Sequence, residues 1–139
     1  MPRVVQLSQR SNQMNVLTVR RTEGDILGFA SDPSRVMLAL RSFDRFGDLG
    51  LVAFANARVE GERAEIEDWV MSCRAMNRRI EFVLEAELER SLAARGVREL
   101  AACWRRTAKN GPSRDLFDRL GFALERELDA ERRYLRRLR

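Results

Sequence analysis

The chain has 139 residues, 45% of them apolar and 34% charged, with a formal net charge of +5. This composition is typical of one soluble globular domain. No apolar run approaches the roughly 18 residues of a membrane span, and the N-terminus lacks a signal-peptide stretch, so we expect a cytoplasmic protein. Histidine is absent, which excludes Ser-His-Asp triads, Cys-His dyads and histidine metal sites.

The positive charge favours an acidic partner, such as an acidic protein or a phosphate-bearing cofactor. Part of the excess lies in the C-terminal segment "ERRYLRRLR", where a solvated edge is an alternative explanation. The sequence shows no helix-turn-helix signal, zinc-finger spacing or aromatic RNA-binding strand. We therefore predict no nucleic-acid partner, and we expect no metal cofactor.

The first half of the chain alternates between helical and strand-like patterns. A helical stripe over 3–14 is followed by β-branched residues over 15–21, and a start signal at Thr22 predicts a short helix that ends before Pro33. Strands are then predicted over 36–42, 49–59 and 64–71. The short turns between them indicate antiparallel neighbours.

The second half holds the strongest helical signal, over 77–95, where apolar residues recur with a period of 3.6 and Gly96 marks the end. Its predicted apolar face contains Ile80, Val83, Leu84, Leu88 and Leu92, and other faces carry Glu81, Glu85, Glu89 and Arg90. A strand over 97–107, a short helix over 111–121 and a hairpin over 122–138 follow. This order predicts an α+β fold, with a mostly antiparallel central sheet flanked by helices, in one domain over 1–139.

The run "RAMNRR", residues 74–79, lies at the predicted start of the long helix. It is similar to the cofactor loop of the GCN5-related N-acetyltransferase (GNAT) fold, Gln/Arg-x-x-Gly-x-Gly/Ala, with Asn77 and Arg79 in place of the glycines. A second motif of that fold is met by Asn110, Phe117, Gly121 and Phe122. Phe117 stands where a tyrosine often serves as general acid, so the resemblance implies a GNAT-like fold without that phenol.

Longer phrases occur along the chain: "QLSQRSNQMNVLTVRR", "LRSFDRFGDLGLVA", "MSCR" and "RRTAKNGPSRDLFDRLGF". Together they resemble the acetyltransferase-like C-terminal domain of FkbH-like glyceryl transferase/phosphatase proteins. The resemblance implies transfer of a glyceryl group, through an enzyme thioester, to the phosphopantetheine thiol of an acyl carrier protein in polyketide or other secondary-metabolite biosynthesis. Members of that family carry a preceding phosphatase domain of the haloacid dehalogenase type. The resemblance therefore leaves three alternatives: an excised domain, a stand-alone transfer partner of a separate phosphatase, or a relative that has lost the chemistry.

Cys73 falls at a predicted strand-to-helix junction, where the helix dipole and nearby arginines favour a thiolate. A thiolate is the nucleophilic form of cysteine and can carry an acyl group. The alternative is a small buried residue that ends a strand. The match to "MSCR" favours the catalytic role, whereas Cys103, inside an apolar strand candidate, is predicted to fill the core.

The other candidate residues are polar and lie near predicted loops. Arg74, Asn77, Arg78 and Arg79 are predicted to meet the phosphate of a phosphopantetheine arm or of coenzyme A at the helix N-terminus. Lys109 and Asn110 are candidates for the same ligand, with turn chemistry as the alternative for Asn110. Asn12, Gln13 and Asn15 are candidates for substrate contact, with capping as the alternative. The sequence does not decide whether Asp68 faces a cleft or solvent.

Two further hypotheses remain open. The first is an acyl-CoA-dependent N-acyltransferase, which the replaced glycines and Phe117 disfavour. The second is a non-catalytic module that docks a carrier protein, which the altered phosphate loop favours.

Overall fold

The computed structural model describes residues 22–44, 47–72, 79–107 and 110–138. The elements in chain order are helix α1 (Glu23–Ala30), strands β1 (Arg35–Asp44), β2 (Gly47–Glu60) and β3 (Arg63–Met71), helix α2 (Ile80–Ala93), strand β4 (Glu99–Arg105), a 3-10 turn (Gly111–Ser113), helix α3 (Leu116–Arg119) and strands β5 (Ala123–Leu128) and β6 (Glu131–Arg137). The predicted elements over 3–14 and 15–21 lie outside the described residues. Within these residues no helix is long and apolar enough to span a membrane.

The six strands form one sheet in the order β1-β2-β3-β4-β6-β5. All neighbours are antiparallel except β3 and β4, which run parallel. Parallel neighbours need a crossover, and α2 supplies it. The predicted α+β fold with a mostly antiparallel sheet is confirmed.

One predicted element is wrong in detail. The single helix expected over 111–121 is divided into the 3-10 turn and the four-residue helix α3. The Ser113 hydroxyl donates to the Asn110 carbonyl (2.8 Å), and the Ser113 amide donates to the same oxygen (3.0 Å). These local bonds compete with a continuous helix and hold the tighter turn.

The two longer helices cover opposite faces of the sheet. On one face, Ile26 of α1 packs in a cluster with Phe54 and Val70. The helix begins with a capping box, in which the Asp25 amide donates to the Thr22 hydroxyl (3.1 Å) and the Thr22 amide donates to the Asp25 carboxylate (2.9 Å). On the other face, the main core contains the leucines of α2, which are Leu84, Leu88 and Leu92.

The buried face of α2 differs from the predicted one. Val83 is 53% exposed, whereas Glu81 and Glu85 are only 5% and 7% exposed. Two arginines explain the difference, because buried carboxylates need partners. The Arg119 guanidinium lies 3.9 Å from the Glu81 carboxylate, and Arg136 Nε lies 3.4 Å from that of Glu85.

Arg136 joins α2 to the sheet and to the end of α3. Its Nε donates to the Glu89 carboxylate (3.1 Å), and its Nη1 donates to the Leu120 carbonyl (2.9 Å). Burial, together with the neighbouring Glu89 carboxylate, raises the pKa of Glu85 to about 7, although the charge of Arg136 opposes the shift. Two carboxylates therefore share one cation beneath α2.

We predict that Glu85→Gln stabilises the protein at high pH. The pKa of Glu85 is higher in the folded protein than in the unfolded chain, so the folded protein binds the carboxyl proton more tightly. The stability that this group contributes therefore falls as pH rises from about 4.5 to about 7. The variant should gain on the order of 1 kcal/mol at pH 8, roughly 3 °C in Tm, and little at pH 4.5. Urea titrations across this pH range measure the difference. Glu87→Gln is the matched control on the outer face of α2, and an equal gain in that variant would contradict the assignment.

Candidate functional site

The parallel strands β3 and β4 separate soon after they meet. They pair only at Arg63 with Glu99, Ala64 with Leu100 and Glu65 with Ala101. Their outer partners continue much further, because β2 pairs with β3 as far as Met71 and β6 pairs with β4 as far as Arg105. The sheet therefore opens between the carboxyl ends of two adjacent parallel strands, the position where open sheets bind ligands.

A β-bulge lies beside this opening. Asn56 is opposite Asp68 and Ala57 is opposite Ile66, so Glu67 is the extra residue of β3. Arg58 of the adjacent strand β2 and Arg35 of β1 both form ion pairs with the Glu67 carboxylate. A bulge bends its strand and increases the local twist, which turns the second half of β3 away from β4.

An aromatic cluster packs beneath the opening. The Phe117 ring lies 5.9 Å from that of Trp69 on β3 and 5.6 Å from that of Tyr134 on β6, with Phe122 5.3 Å away. Phe117 thus joins β3 to β6, the strand that pairs with β4, through the core. Phe117 is only 1% exposed, so its side chain packs in the core. It also lacks the phenol hydroxyl that a tyrosine would have at this position.

Tyr134, the single tyrosine of the chain, does not replace the missing phenol. Its hydroxyl donates to the Asp118 carboxylate (3.0 Å) and accepts from Arg132 (3.3 Å). Burial raises the pKa of Tyr134. The hydroxyl proton therefore takes part in a hydrogen bond within an ion-pair network between α3 and β6.

Gly121 of the second motif has a left-handed backbone conformation. Its φ is +89°, which favours glycine. A Cβ atom there would lie 2.7 Å from Arg136 Nη1, so another residue would also displace the Arg136 guanidinium. This motif residue therefore maintains the contact between the end of α3 and Arg136.

Asn110 lies in the loop that follows β4 and is fully buried. Its side-chain oxygen accepts from the Thr107 amide (2.8 Å), and its Nδ2 donates to the Arg105 carbonyl (2.5 Å). Its backbone carbonyl accepts from Ser113, which in turn accepts from Trp104 Nε1 (3.0 Å). These contacts support the turn role predicted as one alternative, and a contact from Asn110 to a pantetheine amide stays a prediction.

Arg79 occupies the position of the second glycine in the cofactor-loop motif. It precedes α2 with φ 60° and ψ 20°, in the left-handed region, and is the only non-glycine residue with positive φ among those described. Its guanidinium lies 5.1 Å from the centre of the Phe82 ring. The backbone thus has a glycine-like conformation although the side chain is arginine.

We predict that Arg79→Gly stabilises the protein slightly. Glycine adopts the left-handed conformation without strain, which raises the free energy of unfolding. The lost contact with Phe82 and the greater conformational entropy of glycine in the unfolded chain lower it by a smaller amount. The net gain should be about 0.5 kcal/mol. Chemical unfolding measures the change. Arg90→Gly, in the last turn of the same helix, is the control and should cost about 1 kcal/mol. A comparable loss in both variants would contradict the role of backbone strain at Arg79.

Most of the other predicted site residues lie outside the described residues. They are Asn12, Gln13, Asn15, Cys73, Arg74, Asn77, Arg78 and Lys109. The described chain reaches Ser72, whose amide donates to the Val52 carbonyl (2.8 Å) immediately after β3, and it resumes at Arg79 before α2. Cys73 therefore follows the strand that borders the opening, and its catalytic role stays a prediction.

Cys103 has the core position that the sequence predicts. It lies in β4 with 4% exposure, and its thiol donates to the Glu131 carboxylate (2.9 Å). Burial and this carboxylate raise the pKa of the Cys103 thiol to about 12. The thiol is therefore protonated at neutral pH and is a poor nucleophile.

Sequence reasoning missed a buried polar pair next to the bulge. Asn56 Nδ2 donates to the Asp68 carboxylate (2.9 Å), and the two residues are 0% and 2% exposed. Asp68 thus faces neither solvent nor the main core. The two-residue spacing of Phe54 and Asn56 along β2 would have placed Asn56 on the same face of the sheet as Phe54. Among the residues that the structure describes, no cluster of acidic, cysteine or histidine side chains has the composition of a metal site.

Comparison with known proteins identifies the fold. No family model matches the chain, and no curated protein matches it. The GNAT domain of S. lividans PAT aligns with a TM-score of 0.74 at 17% identity, over 99% of this chain and 84% of that domain. The ribosomal-protein-S18-alanine N-acetyltransferase from Escherichia coli aligns with a TM-score of 0.69 at 19% identity, over 99% of this chain and 85% of the enzyme.

An aminoglycoside 6'-N-acetyltransferase complexed with coenzyme A is also similar, with a TM-score of 0.68 at 15% identity, over 95% of this chain and 88% of that one. These similarities show that the chain has the GNAT fold. At such low identity they do not define a substrate.

Proposed function

We propose that the domain transfers an acyl group held as a thioester on coenzyme A or on a phosphopantetheine arm. The divergence of β3 and β4 after three paired residues is the observation that carries the proposal. A pantetheine arm is extended and contains two amides, so it can pair with the open strand edges as an added strand does. Such pairing would direct the thioester into the sheet opening.

The chain on both sides of the opening offers groups for the phosphate end of such a ligand. The N-terminus of helix α2 has backbone amides that lack intrahelical partners, and the backbone at Arg79 has the conformation of a glycine in a phosphate loop. We assign phosphate contact to Arg74, Asn77, Arg78 and Arg79. Lys109 and Asn110 are assigned to the pantetheine portion.

The finer proposal follows the resemblance to FkbH-like proteins. The Cys73 thiolate attacks the carbonyl carbon of a glyceryl thioester, a new C–S bond forms, and the donor leaves as a thiolate. The thiolate of a carrier protein's phosphopantetheine then attacks the Cys73 thioester and regenerates free Cys73. Each step exchanges one thioester for another, so no redox partner is required. Asn12, Gln13 and Asn15 are assigned to the glyceryl group.

An acyl carrier protein is the proposed partner of this reaction. Carrier proteins are typically acidic, and the net charge of +5 provides electrostatic complementarity. A separate phosphatase of the haloacid dehalogenase type is the proposed source of dephosphorylated glyceryl groups. A cytoplasmic location agrees with such partners and stays a prediction.

A second candidate is an acyl-CoA-dependent N-acyltransferase, because two of the compared structures are described as N-acetyltransferases. The buried Phe117 and the engaged hydroxyl of Tyr134 disfavour it, since neither supplies a phenol to protonate a leaving thiolate.

Intact-protein mass spectrometry after incubation with a glyceryl-loaded carrier protein tests the proposal. We expect a hydroxylamine-sensitive acyl adduct on the wild-type chain and on Cys103→Ser, and none on Cys73→Ser. Cys103→Ser is the matched control because its thiol is buried and protonated. Carrier binding without an adduct would support a docking module, and coenzyme A-dependent acylation of an amine would support the N-acyltransferase.

A further inference from the structure

Helix α2 presents an apolar stripe on its outer side. Phe82, Val83, Ala86 and Arg90 fall within about 100° of one another around the helix axis, and all four are exposed. Three of them are apolar. We call Phe82, Val83 and Ala86 the outer stripe.

The outer stripe contrasts with the buried side of the same helix, which carries charge. Glu81 and Glu85 are buried, while Val83 between them is exposed. Arg119 and Arg136 pair with the two carboxylates, so ion pairs fix which side of the helix faces the core. Burying charges while exposing apolar side chains is an unfavourable exchange for an isolated domain. A partner that covers the outer stripe would offset this cost.

The outer stripe begins close to the assigned phosphate position. Phe82 and Val83 are the third and fourth residues of α2, within about 5 Å of its start along the helix axis. In a carrier protein, the phosphate of the pantetheine arm is esterified to a serine on the carrier's surface. A phosphate held at the start of α2 therefore brings the body of the carrier against the first turns of this helix.

Arg79 adds positive charge at the same end of the stripe. Its guanidinium lies 5.1 Å from the centre of the Phe82 ring, and it forms no ion pair with the other residues that the structure describes. A cation beside apolar side chains is complementary to an acidic amphipathic helix. A second copy of this chain fits less well, because a symmetric contact would present the same positive charges to one another.

We propose that the outer stripe of α2 docks an acidic helix of the acyl carrier protein. The apolar side chains of that helix pack on Phe82 and Val83, and its carboxylates lie beside Arg79. The inference rests on the proposed acyl transfer and deepens it by assigning the surface that recognises the carrier's body. Recognition of the body distinguishes an arm attached to a carrier from the same arm in coenzyme A.

The test is calorimetric binding of an acidic polyketide acyl carrier protein that bears phosphopantetheine, with free coenzyme A as the reference ligand. Val83→Asp and Val83→Lys remove the same apolar contact but introduce opposite charges. Val83→Asp should weaken carrier binding at least about tenfold, and Val83→Lys only about threefold. Both variants should bind coenzyme A within about twofold of the wild-type affinity, because that ligand has no protein body.

Leu27→Asp is the matched control, because Leu27 is 51% exposed, close to the 53% of Val83, and lies on α1 at the opposite face of the sheet. It should change neither affinity. Carrier binding that survives Val83→Asp, or that Leu27→Asp weakens equally, would overturn the inference and leave acyl transfer standing.

Sedimentation of the wild-type chain separates the remaining occupant. We expect no dimer that depends on Val83. A dimer that Val83→Asp dissociates would assign the outer stripe to a second copy and overturn the inference. If the wild-type chain binds neither the carrier nor coenzyme A, the proposed function fails together with the inference.

Discussion

The short pairing between β3 and β4 is the constraint on which the proposed site depends. Three paired residues hold the strands together at one end, and the Glu67 bulge then turns β3 aside while β2 and β6 hold the outer edges. Among the described residues, neither strand has a ladder partner on the side where they diverge, so a ligand can satisfy the backbone donors and acceptors there. The opening is thus a product of the sheet itself rather than of a flexible loop.

The groups around the opening are held by buried charges and aromatic rings. Arg136 binds Glu85 and Glu89 beneath α2, and this contact fixes the helix that follows the proposed phosphate loop. Phe117 connects β3 with β6 through Trp69 and Tyr134. The same network lacks an available phenol. For this reason we favour exchange between thioesters, in which the leaving group is a thiolate, over transfer to an amine that needs a general acid.

The sequence predicted the strands, the long helix and the α+β architecture because their hydrophobic periods are regular. It did not predict that Glu85 is buried or that Val83 is exposed, since helical periodicity cannot show which face will meet an arginine from a distant strand. Asn56 was also missed, because the bulge that brings it opposite Asp68 has no clear local signal. Motif alignment located Arg79, but only the structure shows its left-handed backbone.

Residue-resolved hydrogen exchange with a stable pantetheine ketone, in which a methylene group replaces the thioester sulfur, tests the central claim most directly. The claim is that a pantetheine arm pairs with the edges opened between β3 and β4. It predicts slower exchange for amides over 66–71 and 102–105 when the ligand binds. Exchange along β5, an edge strand of the sheet, should not change. Protection along β5 alone, or binding without protection of either β3 or β4, would contradict it.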